Sequence, residues 1–455
     1  MATIAAPSVE DIRSISQELG VEFYFAQFVD MYARPSAKLV PAACLDDLVS
    51  EGAGFAGFAA GEIGQLPSDP DIAAIPDLNS FTPVPWEPSL ARFACDITVE
   101  GEEWPYDPRT ILRHELDRAR TAGYEFKMGI ELEYFLLRKD DHNGGIRIAD
   151  ELDDLEKPCY DLKGLTRNYE FLRKVSNYVN KLGWGNYAND HEDANGQFEQ
   201  NFTYADALAT CDRSIFFRYM VHTLAQQRGL LATFMPKPFT ELTGNGCHFH
   251  MSLWDGDTNL FLDEDDSRGL GLSETAYHFI GGLKKHAKAY IAVTAPTVNS
   301  YKRLKHGTTT SGATWAPVYI SYGYNNRTQM LRVPGPGRVE DRTIDGSCNP
   351  YLAATVLLAA GLDGIENKLD PGDPVSGNLY TTDQTDLTKR GIDVLPANLL
   401  DATRELERDE VIREALGRAR DEDYVDYYIN VKRDEWTRYH EQVTPWEIKE
   451  YLTRF

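Results

Sequence analysis

The stretch Met128-Gly-Ile-Glu-Leu-Glu-Tyr-Phe-Leu-Leu137 alternates two kinds of residue in a way that predicts a β-strand. Successive side chains of a strand point to opposite faces, so Ile130 and Leu132 share one face while Glu131 and Glu133 share the other. Two carboxylates side by side repel each other, and a divalent cation relieves that repulsion. A solvated acidic edge explains the same pattern, so this stretch alone leaves both explanations open.

A second alternating stretch, Gly244-Asn-Gly-Cys-His-Phe-His-Met-Ser-Leu-Trp254, predicts another strand. One of its faces carries His248, His250 and Ser252, and the opposite face is apolar. The chain has only ten histidines, and two of them fall here beside a glycine-rich entry that lets a ligand approach the backbone. Histidines on a solvated sheet surface are the alternative explanation.

Further acidic and basic residues suit the binding of ions and charged substrates. Glu192 and Glu199 flank a predicted turn, which by itself is typical of an ordinary acidic loop. Between residues 302 and 342 the net charge is +5, inside a chain whose total is −25. Guanidinium groups there suit phosphate and carboxylate oxygens, so the combined pattern indicates divalent metals, a polyphosphate and an anionic substrate. The sequence contains no Walker A loop, kinase glycine loop or GxGxxG motif, which excludes those ATP-binding folds.

Over its whole length, the sequence predicts an α+β fold in two domains, residues 1–106 and 107–455. The first combines a helix near Val9–Leu19, a strand over Val21–Met31 and long glycine-, alanine- and proline-rich loops between residues 51 and 88. From Asp107 a helical pattern leads into the acidic strand described first. Further strands are predicted near 199–203, 246–254 and 317–333, and further helices near 166–182, 212–228, 273–292 and 349–364.

Composition narrows the class of protein. With 455 residues, 42% hydrophobic and 11% aromatic, the chain can bury large cores. Its negative charge disfavours nucleic acids and anionic membranes as partners. No apolar run approaches the roughly 20 residues that span a bilayer, and no export signal is visible. Six cysteines without CxxC pairs indicate a reduced, cytoplasmic compartment.

Taken in order, the motifs resemble the glutamine synthetase superfamily. The resemblance extends from about residue 107 to 380, and it is specific there. The two ends of the chain match only in length and general composition. The matching motifs are Glu131-Leu-Glu133, His191-Glu192, Gly196-Gln-Phe-Glu199, Gly244-Asn-Gly-Cys-His248-Phe-His250-Met-Ser-Leu253, Asn299-Ser-Tyr-Lys-Arg-Leu304, Asn326-Arg327, Arg332, Arg338-Val-Glu340-Asp-Arg342 and Asn349-Pro-Tyr351.

The resemblance implies an amino-terminal β-grasp-like domain and a catalytic domain whose antiparallel strands form a funnel. It implies ATP and Mg²⁺ or Mn²⁺ as cofactors, with one metal bound by Glu133, Glu192 and Glu199 and the second by Glu131, His248 and Glu340. Glutamate would be bound by Arg303, Arg342 and the Gly244 loop. The residues implied for nucleotide and phosphate are His250, Ser252, Arg327, Arg332 and Arg338. Arg327 and Arg342 are the implied catalytic residues.

The reaction implied by the family joins an amine to the γ-carboxylate of L-glutamate. A carboxylate is a poor acyl donor until its oxygen becomes a leaving group, and transfer of a phosphoryl group from ATP achieves this. The resulting γ-glutamyl phosphate is attacked by the amine, which releases ADP and phosphate. The family also implies a ring-shaped homo-oligomer, a dodecamer, with sites built across neighbouring chains.

Two departures from the family concern the amine. Glutamine synthetases bind ammonium with an Asp in a Phe-Asp-Gly-Ser-Ser segment and a Glu in Tyr-Glu-Ala-Pro, whereas this chain has Phe55-Ala-Gly-Phe-Ala59 and Thr314-Trp-Ala-Pro317. Trp315 and Phe58 suit a small alkyl group and can face its ammonium by cation–π attraction. We therefore expect methylamine as the substrate, as in the γ-glutamylmethylamide synthetase branch of the family.

Other interpretations remain open at this point. If Trp315 belongs to the core, the protein is a glutamine synthetase that uses ammonia, and a γ-glutamyl ligase for larger amines is a third possibility. A non-catalytic structural relative is disfavoured because all six presumed metal ligands are present. Tyr380 lies where some bacterial glutamine synthetases are adenylylated, although an exposed loop tyrosine needs no such role.

Overall fold

A computed structural model of the chain describes residues 7–140, 145–382 and 384–455. The helices are α1 Val9–Leu19, α2 Leu45–Glu51, α3 Gly57–Ala60, α4 Pro108–Thr121, α5 Leu162–Lys181, α6 Ala207–Gln226, α7 Glu274–Thr294, α8 Ser300–Arg303, α9 Pro350–Glu366, α10 Gln384–Lys389, α11 Leu399–Leu406, α12 Glu410–Leu416, α13 Tyr424–His440 and α14 Pro445–Tyr451. The strands are β1 Phe23–Val29, β2 Pro35–Pro41, β3 Ala53–Phe55, β4 Ile72–Pro76, β5 Thr82–Pro83, β6 Leu90–Val99, β7 Glu102–Glu103, β8 Glu125–Lys139, β9 Ile146–Ile148, β10 Asn186–His191, β11 Gln197–Phe202, β12 Ala205–Asp206, β13 Leu231–Thr233, β14 Cys247–Asp255, β15 Thr258–Asn259, β16 Tyr322–Tyr324, β17 Leu331–Val333, β18 Val339–Asp341, β19 Arg418–Ala419 and β20 Glu422–Asp423.

The amino-terminal sheet has the strand order β2-β1-β6-β4-β3, with β5 and β7 also paired to β6. Strands β1 and β6 are parallel and the other pairs are antiparallel. The α1 helix begins with a capping box at Ser8, and α2 packs against β2 and β4. This sheet lies beside the start of α4.

The second sheet is the larger one and has the order β10-β11-β8-β14-β18-β17-β16. Its long strand β8 also pairs with β9, β12 and β13, and nearly all pairs are antiparallel. The apolar side chains of β8 and β14 face a continuous core, so their polar side chains are directed to the opposite face. The acidic and histidine residues singled out in the sequence therefore meet on one side of this sheet.

Helices α7 and α9 close the core behind the sheet and make the most extensive helix–helix contact of the described chain. They approach so closely because glycines lie at the crossing. A Cβ added at Gly282 would come within 1.9 Å of the Ala360 carbonyl oxygen, and one at Gly364 would meet the His278 carbonyl oxygen at 2.1 Å. This tight packing gives the sheet a rigid support.

The α+β prediction is confirmed, and so are the helices predicted near 9–19, 166–182, 212–228, 273–292 and 349–364. Two local predictions are wrong. The region 51–88 contains strands β3, β4 and β5, because short apolar runs between its turns pair with neighbouring strands. The predicted strand over 317–333 is broken into β16 and β17, since residues 325–330 form turns between them. In the described parts of the chain, no helix is both long and apolar enough to cross a bilayer.

Candidate active site

A cavity of about 840 Å³ opens on the polar face of the larger sheet. Its wall collects side chains that are far apart in the sequence and come from β8, β10, β11, β14, β17 and the following loops. Among the residues predicted for the site, it is lined by Glu131, Glu133, Glu192, Glu199, Gly244, His248, His250, Arg303, Trp315, Arg327, Arg332, Arg338 and Arg342. The sheet thus forms the wall of the expected funnel.

Strand register explains why these residues meet. His248 lies opposite Glu131 across β14 and β8, and His250 lies opposite Glu340 across β14 and β18. On the other side of β8, Glu133 lies opposite Glu199. Cross-strand neighbours have Cβ atoms about 5 Å apart, so pairing alone places the acids and imidazoles within reach of a common ion.

One group of potential metal ligands consists of Glu131, His248 and Glu340, each offering a ligand atom within 4.8 Å of the others. His248 Nδ1 lies 3.4 Å from a Glu131 oxygen and 3.6 Å from a Glu340 oxygen. His250 Nε2 lies 3.0 Å from the second Glu131 oxygen. The structure therefore brings together the three residues that the resemblance assigned to one metal.

The other predicted set is arranged differently from the simple triad expected. Glu133 and Glu199 form a group with His248, while Glu192 and Glu199 form a group with Asp190. Asp190 is not among the ligands that the family resemblance implies. The available signal was its position two residues before Glu192, which puts both side chains on the same face where the strand ends.

The pKa values of these acids reflect crowding of like charges. Burial, and then the neighbouring Glu133, raise the pKa of Glu192 well above its usual value. Burial and Glu131 do the same to the pKa of Glu199. Buried oxygen donors whose charges oppose one another, with an imidazole beside them, form a donor set that fits divalent cations such as Mg²⁺ or Mn²⁺.

Glu131 and Glu340 stay ionised for different reasons. Burial raises the pKa of Glu131, but the adjacent His250 and His248 imidazoles outweigh it and hold the pKa well below its usual value. Burial also opposes the charge on Glu340, but mainly the Arg342 guanidinium lowers the pKa of Glu340 to about 2.

Glu340 also fixes two arginines of the cavity. Arg332 Nη1 donates to one Glu340 oxygen at 2.8 Å, and Arg342 Nη1 donates to the other at 2.5 Å. Arg332 makes two further hydrogen bonds to the side-chain oxygen of Asn325. Both guanidinium groups are therefore oriented before any ligand arrives.

Arg303 lies beside the Gly244–Gly246 turn. Its guanidinium donates to the backbone carbonyls of Arg342 and Thr343, each at 3.0 Å. A Cβ on Gly244 would meet the Pro236 carbonyl oxygen at 2.2 Å, so only glycine fits there. The Gly246 N–H donates to Glu133 at 2.7 Å, which ties this turn to the acidic wall.

Trp315 stands at the cavity mouth and is 38% exposed. Its backbone has a φ of +54°, in the left-handed region, and its carbonyl accepts a hydrogen bond of 3.2 Å from Arg342 Nη2. The expectation that Trp315 could be an ordinary core residue is therefore wrong. Tyr380 is not an exposed loop residue either, since its hydroxyl donates to the Ala316 carbonyl at 3.1 Å.

Three predicted residues do not line this cavity. Glu340 is fully buried behind the wall, where it holds Arg332 and Arg342. Ser252 is buried on β14 and accepts a hydrogen bond of 2.8 Å from Trp254 Nε1. Phe58 is exposed and lines a separate cavity together with Tyr106 and Tyr427. Within one chain, Trp315 is thus the aromatic residue of the pair that borders the acidic and arginine walls.

Comparisons with known proteins agree with this geometry. Residues 105–451 match the family described as glutamine synthetase, catalytic domain. A glutamate–methylamine ligase of Methyloversatilis universalis is 47% identical over 449 residues, which cover 98% of this chain and 100% of that protein. A glutamine synthetase of Rhizobium meliloti is 45% identical, with 96% of this chain and 98% of that protein covered.

A solved structure described as a GmaS/ADP complex has a TM-score of 0.90 and 48% sequence identity, and the match covers 97% of this chain and 99% of the other. A second structure, described as GmaS without ligand, has a TM-score of 0.88 and 46% identity. Agreement of fold and sequence over nearly the whole length confirms the resemblance drawn from the motifs. The chain belongs to the glutamine synthetase family.

Proposed function

We propose that this protein is an ATP-dependent ligase that joins methylamine to the γ-carboxylate of L-glutamate. The product would be γ-glutamylmethylamide, with ADP and phosphate released. The observation that carries the choice of amine is Trp315, an aromatic ring at the mouth of a cavity whose walls hold the acids and arginines of the family. The full-length similarity to a glutamate–methylamine ligase supports the same choice.

In this proposal the acidic wall binds two divalent cations. Glu131, His248 and Glu340 would hold one, and Glu133, Glu192 and Glu199 the other, with Asp190 close to the second group. When bound, such ions neutralise phosphate charge and polarise the phosphoryl oxygens. The carboxylates of the chain orient them, and Gln197 steadies Glu133 by donating to it at 3.0 Å.

The arginine wall would handle the anionic substrates. Arg303 and Arg342 bind carboxylates of glutamate beside the Gly244 turn, and Arg342 is held in place by Glu340 and by the Trp315 carbonyl. Arg327, Arg332 and Arg338 face the ATP phosphates, with His250 beside them. Ser252 keeps its implied nucleotide role only as a prediction. These preoriented donors stabilise charge as the phosphoryl group moves to glutamate.

We further propose a ring-shaped homo-oligomer, a dodecamer, in which a neighbouring chain supplies Phe58 to the site. The division into domains 1–106 and 107–455 is kept as part of this proposal. Six free cysteines are consistent with the predicted cytoplasmic location.

The direct test is ATP turnover with glutamate and a panel of ammonia, methylamine, ethylamine and a diamine, with the products identified by mass. We expect methylamine to have a kcat/KM above that of ammonia by about fivefold, since one buried methyl is worth roughly 1 kcal/mol. A preference for ammonia would make the protein a divergent glutamine synthetase, an alternative favoured by the 45% identical relative.

The Trp315→Ala variant sharpens this test. Loss of the ring removes both apolar contact and cation–π attraction, so the methylamine-to-ammonia ratio of kcat/KM should fall. Trp315→Glu should also lower methylamine use, because it removes the ring and restores the acid of ammonia-using relatives. An unchanged ratio in Trp315→Ala would contradict the proposed amine.

A further inference from the structure

Asp193 is a carboxylate of the cavity that the resemblance assigns to no ligand. It follows Glu192, lines the same cavity as Trp315, and is half-buried. Its Oδ2 atom accepts hydrogen bonds from the hydroxyls of Thr243 and Ser311. In the described ranges it forms no ion pair with a lysine or arginine.

The two hydroxyls place Asp193 between two parts of the site. Thr243 directly precedes Gly244, whose turn is proposed to contact glutamate. Ser311 lies four residues before Trp315, on the loop that carries the ring. The carboxylate is therefore anchored to the glutamate side and to the aromatic side at once.

The loop that carries Trp315 is fastened along its length rather than hanging free. Thr310 donates through its backbone N–H to the Glu241 carbonyl at 2.9 Å, and Thr309 donates to the Ala313 carbonyl. The hydroxyls of Thr309 and Ser311 lie 3.1 Å apart. Asp193 and Trp315 thus border the cavity in a fixed arrangement, which a recognition site requires.

An alkylammonium ion has a charged end and an apolar end, and both need a partner when it leaves water. Trp315 can cover the methyl group but supplies only a weak attraction for the charge. We propose, on the basis of the proposed function, that the Asp193 carboxylate binds the ammonium end of a short primary alkylamine while Trp315 covers its alkyl end. Asp193, in the turn that follows β10, would thereby supply the carboxylate that glutamine synthetases carry at the position of Trp315.

The proposal is tested by comparing a charged and an uncharged nucleophile in the full-length enzyme. Methylamine is a cation at pH 7.5, whereas hydroxylamine is mostly neutral and forms a γ-glutamyl hydroxamate. In Asp193→Asn, which keeps the shape and an acceptor oxygen for the two hydroxyls, kcat/KM for methylamine should fall by about tenfold or more. Hydroxamate formation should change by less than about threefold, because no ammonium is bound.

Three matched variants isolate the charge. Asp193→Glu keeps the negative charge and should retain most of the methylamine-to-hydroxylamine ratio, which also covers the case in which Asp193→Asn fails to fold. Ser311→Ala removes one anchor but not the charge, so its effect on the two nucleophiles should be parallel. Asp117→Asn, at an exposed pair with Arg120, should leave both rates at the wild-type level.

Parallel losses with both nucleophiles in Asp193→Asn would overturn the inference and leave Asp193 as a support for the loop. No loss with either nucleophile would overturn it as well. A wild-type enzyme that forms the hydroxamate but no γ-glutamylmethylamide would instead refute the proposed function, so the two failures are distinguishable.

Discussion

The cluster around Arg109 and the cavity wall use the same side chains in opposite ways. In the cluster, Arg109 pairs with Asp77, Asp96 and Asp212 at 2.6 to 2.9 Å, and Arg113 pairs with two of the same acids. The cavity is lined by six acids and six lysines or arginines. Among the lining residues of the described chain, no acid pairs with a lysine or arginine. Behind the lining, buried Glu340 pairs with both Arg332 and Arg342 and so links the two walls.

The difference shows what each region is built for. Buried charges that satisfy one another hold elements together, and here the cluster connects β6, α4 and α6. Charges that are kept on separate walls remain available, so cations can bind the acidic wall and anions the arginine wall. The comparison predicts that changes in the cluster affect stability, whereas changes in the cavity affect turnover.

The largest effect is expected for Arg109→Ala. It would leave three buried or half-buried aspartates without their main cation, at a cost of about 3 to 5 kcal/mol in the free energy of unfolding. Urea denaturation measures this. Arg113→Ala is the matched control, since its side chain is 33% exposed and the loss should be smaller. A loss below about 1 kcal/mol for Arg109→Ala would contradict the structural role of this cluster.

Glu133→Ala should reduce turnover by about 100-fold or more while the protein still folds, as circular dichroism would check. The reason is that one crowded carboxylate is removed from the acidic wall, together with a proposed metal ligand. A chelator should abolish activity of the wild type, and Mg²⁺ or Mn²⁺ should restore it. Full activity in chelator, or in the variant, would contradict the metal assignment.

Arg342→Ala should lower kcat/KM for glutamate by roughly 10- to 100-fold, since a charge-assisted hydrogen bond is worth about 1.5 to 3 kcal/mol. Steady-state kinetics with varied glutamate measures the effect. Arg120→Ala, at an exposed pair, is the control and should behave as wild type. An unchanged value for Arg342→Ala would remove this residue from the site.

Glu115 offers a third case. Within the part of the chain that the structure describes, this buried carboxylate pairs only with Arg118, whose side chain is half-exposed. Burial raises the pKa of Glu115 from 4.5 to about 7. The folded state therefore binds this proton more tightly than the unfolded state, and the associated stability is lost as the pH rises from about 4.5 through about 7.

As the pH is raised from 5 to 8, the free energy of unfolding of Glu115→Gln should consequently rise by about 1 to 2 kcal/mol relative to that of the wild type. Parallel denaturation series at both pH values measure the difference. Glu170→Gln, at an exposed pair with Arg173 of the same spacing, serves as the control and should show no such trend. A constant difference between Glu115→Gln and wild type would show that this burial carries no penalty.

The strands that carry the site were predictable because their signal is local. Alternation places Glu131 and Glu133 on one face of β8, and it places His248 and His250 together on β14. The pairing that sets His248 opposite Glu131 depends on register between distant strands, which no single stretch encodes. The family resemblance, and not the pattern, indicated that they share an ion.

The features that sequence could not supply depend on loops. The left-handed backbone of Trp315, and the hydrogen bond from Tyr380 to the Ala316 carbonyl, arise from contacts between segments far apart in the chain. Asp190 and Asp193 were likewise inseparable from an ordinary acidic turn. The folded chain places Asp190 beside Glu192 and Glu199, and it places Asp193 on the same cavity as Trp315.

The pairing of β14 on both sides has a consequence for how this protein can diversify. A one-residue insertion in that strand would exchange its two faces and send both histidines into the core. Residues 304–318, which carry Trp315, belong to no helix or strand, so a change of length there would leave both faces of β14 as they are, provided that the hydrogen bonds of Thr309, Thr310 and Ser311 are kept. The amine preference is therefore changed most easily by exchanging this loop between relatives while β14 is kept unchanged.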